Sequence, residues 1–198
     1  MEITEPTGFE EIEDLFRKVA LTILGIPETD NKSVRMPYGT LMETGSAPGF
    51  TKSDTVCFIF VVPADDGYAQ ARHITYESSD DSDTLTLVDE HTDIFTIRFT
   101  IYGPNGYKWA RKITNGLYRD SVRKILREHN FFLKVGIPPI VYLQEQREGD
   151  WFRRYDVAPM FYQAVRLVET GTADAVAPFE KVVIKINDNE KLEINTTH

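Results

Sequence analysis

The sequence predicts an α+β domain: a mostly antiparallel β-sheet with two amphipathic helices packed on one face. Three observations point there. Two stretches repeat apolar residues at helical steps, several shorter ones have the length and content of strands, and their order is helix, long loop, strands, helix, strands. At 198 residues the chain suits one well-cored domain with appendages. Its 41% apolar, 12% aromatic and 27% charged residues exclude disordered, collagen-like and coiled-coil classes.

The first helix is read over residues 9–24, where Phe9, Ile12, Leu15, Phe16, Val19 and Ile23 recur at three- and four-residue steps. Acids come early and Arg17-Lys18 later, as the helix dipole favours. Thr7 or Gly8 is the candidate cap, and Gly25-Ile-Pro27 the stop. Residues 27–52 keep no period and read as a long loop, a length that usually marks function or poor order.

Val56–Val62 reads as a buried strand closed by the turn Pro63-Ala-Asp-Asp-Gly67, and residues 70–77 as a second strand. An acidic loop follows over 77–90. Its Glu77-Ser-Ser-Asp-Asp-Ser-Asp83 run lacks calcium-loop spacing and a distal bidentate glutamate, so it reads as a solvated turn. In residues 93–102, Phe95, Ile97, Phe99 and Ile101 share one face of a strand, and Thr96, Arg98, Thr100 and Tyr102 the other. One face is expected in the core and the other in water or against a partner.

Gly103-Pro-Asn-Gly106 then opens a second helix read through about Glu128, with Pro104 pre-setting an early helical dihedral. Residues 131–135 and 140–143 read as strands. Gly149-Asp150 is a turn into an extended run from Trp151 to Val168, and Pro159 marks an edge, a bulge or a break between two pairings. A last strand lies in 178–186. Residues 1–186 are thus expected to form one domain, and 187–198 a polar tail.

Lys plus Arg number 22 and Asp plus Glu 31, so the formal charge is −9 and a generic nucleic-acid-coating surface is disfavoured. The single cysteine, Cys57, sits in an apolar run and is expected as a buried thiol, with no disulfide or cysteine-based zinc site. No run approaches the ~20 apolar residues of a membrane span, and Met1-Glu-Ile-Thr-Glu-Pro6 is acidic, so a protein assembled in the cytoplasm is expected.

Catalytic signatures are missing from the sequence pattern. His73, His91, His129 and His198 form no metal-binding interval, Gly45-Ser-Ala-Pro-Gly49 is no nucleophile elbow, and neither phosphate-cradling glycine motif occurs. No cofactor is expected. The enzyme alternative is a metal-dependent nuclease built from scattered groups such as Asp93, Lys134 and Glu145.

Phe95-Thr-Ile-Arg-Phe-Thr-Ile-Tyr-Gly-Pro-Asn-Gly-Tyr107, followed by Arg111-Lys-Ile-Thr-Asn-Gly-Leu117, resembles the phage neck or tail terminator proteins. The resemblance continues through Gly149-Asp-Trp-Phe-Arg-Arg-Tyr-Asp-Val157 and covers about residues 90–186. It implies a non-enzymatic virion protein that forms a ring, commonly a hexamer. That ring would end the tail tube and join it to the head-side connector while DNA passes through the lumen without sequence-specific binding. A head-completion or stopper protein is the alternative within that class.

Arg98, Tyr102, Trp151, Phe152 and Arg153 are the candidate subunit or partner contacts, because exposed aromatic and arginine residues are enriched at interfaces. For Tyr102 and Trp151 the alternative is a place in the core. Loops 27–52 and 77–90 depart from a minimal terminator and are candidate arms for neighbouring rings. Six copies would carry −54 in all, and a negatively lined bore is expected to keep DNA from sticking.

Overall fold

The computed structural model describes residues 8–36, 49–64, 72–78, 85–147, 149–169, 181–185 and 191–195. Thr7 and most of the two expected loops, residues 37–48 and 79–84, lie outside them. Helix α1 (Phe9–Leu24) begins after Gly8 and buries the apolar stripe read from the sequence, apart from Phe9 at its exposed start. It stops at Gly25, whose φ of 74° suits only a residue free of a Cβ penalty. The amides of Gly25 and Ile26 both donate to the Leu21 carbonyl, at 2.9 and 3.0 Å.

The strands in chain order are β1 (Val34–Arg35), β2 (Val56–Pro63), β3 (His73–Ser78), β4 (Leu85–Tyr102), β5 (Phe131–Leu133), β6 (Val141–Arg147), β7 (Asp150–Val157), β8 (Met160–Glu169), β9 (Lys181–Lys185) and β10 (Lys191–Asn195). The first eight share a sheet with the path β1-β2-β4-β7-β6. β3 and β8 also pair with β4, and β5 with β8. Among the strand pairs whose register is described, only the short β1–β2 contact is parallel, so the α+β reading and the mostly antiparallel sheet stand.

One expectation needs correcting. The second helix is two, α2 (Gly106–Gly116) and α3 (Asp120–Glu128), so the domain has three described helices where two were expected. The break follows Asn115-Gly116, both poor helix formers, and Arg119 takes an extended ψ of 140° before Asp120 restarts the helix. Pro104 lies in the turn before α2, with Asn105 as N-cap. β4 also reaches back to Leu85, absorbing the end of the expected acidic loop into a pairing with β3.

The chain divides into two compact units, one of residues 4–71 and 91–165, the other of residues 1–3, 72–90 and 166–198. In the smaller unit β3 pairs antiparallel with the start of β4, His73 facing Glu90, and Arg166 lies 3.1 Å from Glu90. There too, β10 pairs with β9 inside the stretch read as a polar tail; alternating Leu192 and Ile194 suit a strand.

In the larger unit, Ile97, Phe99 and Ile101 of β4 face a core filled by α1, α2 and α3. Phe16 meets Phe131 edge-on at 5.5 Å and Phe161 at 4.7 Å. Cys57 is buried there, and burial pushes its thiol pKa up, so the sulfur stays protonated and packs as a small apolar group. Arg17 on α1 holds the start of the expected loop, donating to the carbonyl of Asp30 at 2.7 Å and to Asn31 Oδ1 at 2.8 Å. Backbone hydrogen bonding from Ser33, chiefly, holds the Asp30 carboxyl below the usual carboxylate range.

α2 packs tightly on α1 at Gly116, where an added Cβ would lie 2.4 Å from Ile23 Cγ2. Gly116→Val is therefore expected to destabilise the fold by about 1–3 kcal/mol through overpacking. A lower urea midpoint at unchanged slope is the expected readout; an unchanged midpoint would show that the crossing yields freely.

Candidate functional site

β6 and β7 form a hairpin at one end of the sheet path, with Arg147 opposite Asp150 and Gly149 at φ 86° in the turn. The sequence reading found this turn. Because paired residues share a face, the register of β2, β4, β7 and β6 sorts their side chains. Val56 faces Tyr102, Tyr102 faces Arg154, and Arg154 faces Leu143, all on the side away from the helices. Ile101, Tyr155 and Tyr142 make the corresponding row on the helix side.

This register separates the five expected contact residues. Arg98, Tyr102 and Phe152 lie on the outer face, whereas Trp151 and Arg153 lie on the helix-side face. Trp151, Arg153 and Arg98 are exposed, Trp151 at 61%. Phe152 is half-buried. Tyr102 corrects the expectation of an exposed aromatic, since it is only 2% exposed.

The reason is a second, smaller apolar cluster on the outer face. Phe50, arriving from the loop before β2, stacks against Tyr102 at 5.3 Å, Phe152 at 5.6 Å and Phe58 at 5.8 Å. Asp54 steadies this approach by accepting from the Thr51 amide at 2.8 Å and the Thr51 hydroxyl at 2.9 Å. Gly103 is fixed beside it: its φ is 101°, and a Cβ would clash with the Asp54 carbonyl.

Next to the cluster, the Tyr102 hydroxyl donates to Glu145 Oε2 at 2.7 Å, and Arg154 Nη1 donates to the same oxygen at 3.1 Å. Arg154 also grips Asp156 with two parallel bonds, Nε to Oδ1 at 2.9 Å and Nη2 to Oδ2 at 2.7 Å. The Asp156 hydrogen bonds, above all, hold the guanidinium pKa above its ordinary value. This network ties β4, β7 and β6 together, with side chains between 14% and 28% exposed at its charged members. Sequence reasoning missed it, because its diagonal contacts require the register.

On the helix side, Tyr155 supports the hairpin. It stacks with Tyr142 at 5.2 Å and Tyr107 at 5.9 Å, and a Cβ on Gly106 would strike its ring. Beyond this stack the hairpin exposes Val141, Tyr142, Leu143 and Trp151. A rigid strand pair bearing aromatic and aliphatic groups is chemically suited to burying them against another protein surface.

The scattered groups considered for nuclease chemistry are not gathered here. Glu145 sits in the Tyr102–Arg154 network, while Asp93 lies near the middle of β4, roughly 30 Å of extended strand from Tyr102. Lys134 lies 5.7 Å from the centre of the Tyr162 ring. Among the described residues no three His, Cys, Asp or Glu groups converge as a metal site.

A sequence-family profile described as phage neck terminator protein matches residues 47–190. A search of curated proteins finds no match.

Replacing Tyr102 by Phe removes the hydroxyl and leaves the ring in its apolar cluster. The substitution is expected to cost about 1.5–3 kcal/mol, the usual worth of a hydrogen bond to a charged group. Glu145→Gln should be milder, because an amide oxygen can still accept. Equal losses in chemical denaturation would contradict the network.

Proposed function

The chain belongs to the phage neck terminator family, and from that premise we propose that its copies close into a ring that ends the tail tube and joins it to the head-side connector. Six copies form the ring, and DNA passes through its lumen without sequence-specific contacts. The protein acts through shape, with no catalytic step. Its partners are its own copies, the tube protein below and the connector or stopper above. It is assembled in the host cytoplasm and carried in the neck of the virion.

One observation carries the reading: a supported hairpin presents exposed apolar and aromatic groups, Trp151 foremost, within the part of the chain that matches the family. A sheet edge with such an exposed surface is a liability in a lone molecule and an asset in an assembly. Arg98, Trp151, Phe152 and Arg153 are the proposed contact residues. Tyr102 serves from beneath, fixing the sheet that displays them. A low-dielectric contact around Trp151 and Arg153 would bring together the residue types that dominate interface energetics. The described ends of the expected arms at 27–52 and 77–90 are held within the chain, by α1 and β2 for the first and by the β3–β4 pairing for the second.

Mass photometry of the purified chain, with divalent metal and DNA added in a parallel cleavage assay, tests the proposal. The expected result is a species near six times 22.7 kDa and uncut DNA. Trp151→Ala with Arg153→Ala should shift that species to monomer with the secondary structure retained by circular dichroism, since both side chains are exposed. A monomer that cleaves DNA would overturn the reading.

A further inference from the structure

The other face of the ring contact is assigned by a cavity that the function above leaves unused. A pocket of about 350 Å³ opens between α3, β5 and the residues after them. Its floor is apolar, with buried Leu126 and Phe131, and its rim carries Arg123, Arg127, Phe132 and Val135. Val135 is 94% exposed. Residues 106–128 hold seven Lys or Arg against Asp120 and Glu128, a net +5 in a chain of −9, so the remaining residues carry −14. All seven bases are exposed.

We propose that this arginine-rimmed pocket receives the β6–β7 hairpin of a second copy, with Trp151 inserted. The proposal rests on the ring reading above and names both sides of its repeating contact. A cyclic ring with more than two members needs two different, complementary surfaces on each copy. The hairpin is an apolar protrusion, and the pocket is an apolar hollow. They cannot meet within one chain: the pocket residue Phe131 pairs with Gln163 of β8, and Trp151 is the second residue of β7. Roughly 35–40 Å of extended strand separates Trp151 from Gln163.

Chemistry selects the same pairing. An indole suits an apolar floor, and arginine at the rim stacks on its face. Charge is compatible with a copy of this chain as the occupant, because Asp150, exposed beside Trp151 at the hairpin turn, brings a carboxylate to the arginine rim. Duplex DNA would also be drawn to the bases, yet a phosphate backbone has no use for an apolar hollow.

The test pairs two variants that keep opposite halves of the contact. Arg123→Glu with Arg127→Glu spoils the pocket and leaves the hairpin. Trp151→Ala with Arg153→Ala spoils the hairpin and leaves the pocket. Each alone should associate about tenfold more weakly or worse than the native chain. Mixed in equal amounts they should form a heterodimer, near twice 22.7 kDa by native mass spectrometry, and grow no further. A mixture that stays monomeric, or a pocket variant that still forms rings, overturns this inference and leaves the ring reading intact. A native chain that never assembles overturns both.

A second measurement keeps the indole in place. Gln146 is exposed and faces Trp151 across the hairpin, so Gln146→Cys combined with Val135→Cys supplies the reactive thiols, Cys57 being buried. Under oxidation it should give a ladder of disulfide-linked multimers on a non-reducing gel. Absence of the ladder in assembled rings counts against the pairing. So does retardation of duplex DNA that Arg123→Glu with Arg127→Glu abolishes while rings persist, which would give the basic face to DNA.

Discussion

The larger unit depends on the two-sidedness of β4. Ile97, Phe99 and Ile101 are fully buried against the helices, while Thr100 and Tyr102, on alternate positions, are buried on the other side. A strand dry on both faces near its end must be covered twice, and the chain supplies both covers. Three helices close one side, and Phe50 with Phe152 closes the other. Because a one-residue slip would move every side chain to the opposite face, this double burial specifies the register of β2, β4 and β7. The hairpin inherits its position from that register.

The Tyr102–Glu145–Arg154–Asp156 network extends the same constraint to the sheet edge. Among the described residues β6 pairs only with β7, so backbone bonds alone would leave the hairpin hinged along one line. Side-chain bonds reaching from β4 to β6 across the intervening strand resist that hinge. The Tyr142–Tyr155–Tyr107 stack does so from the opposite face. Support on both faces makes an exposed strand pair a defined surface for binding, with less ordering entropy to lose on contact.

Much of this was legible from residue pattern. The periodicity of α1, its glycine stop, the alternation of β4, the Gly149 turn and the break at Pro159 all reflect local physics. They appear where local physics predicts them. The failures have identifiable causes. Asn115-Gly116 interrupted a helical period that continued on both sides, so one helix was read where two exist. Tyr102 alternates with core residues and so reads as exposed; it is buried by residues distant in sequence, among them Phe50, 52 positions earlier in the chain. Alternation within β7 already separates Trp151 and Arg153 from Phe152, yet their relation to Arg98 requires strand pairing. The pocket is less accessible still, because its walls come from α3 and β5 only after folding.

The family match begins at residue 47, but α1 lies before it and supplies Ile12, Phe16, Val19 and Ile23 to the core. Arg17 then fastens that helix to the segment leading into β1, which itself pairs with β2. The boundary of recognisable ancestry is therefore not the boundary of cooperative folding. A shortened chain beginning at the match would keep most of its sheet yet bare the oily side of it.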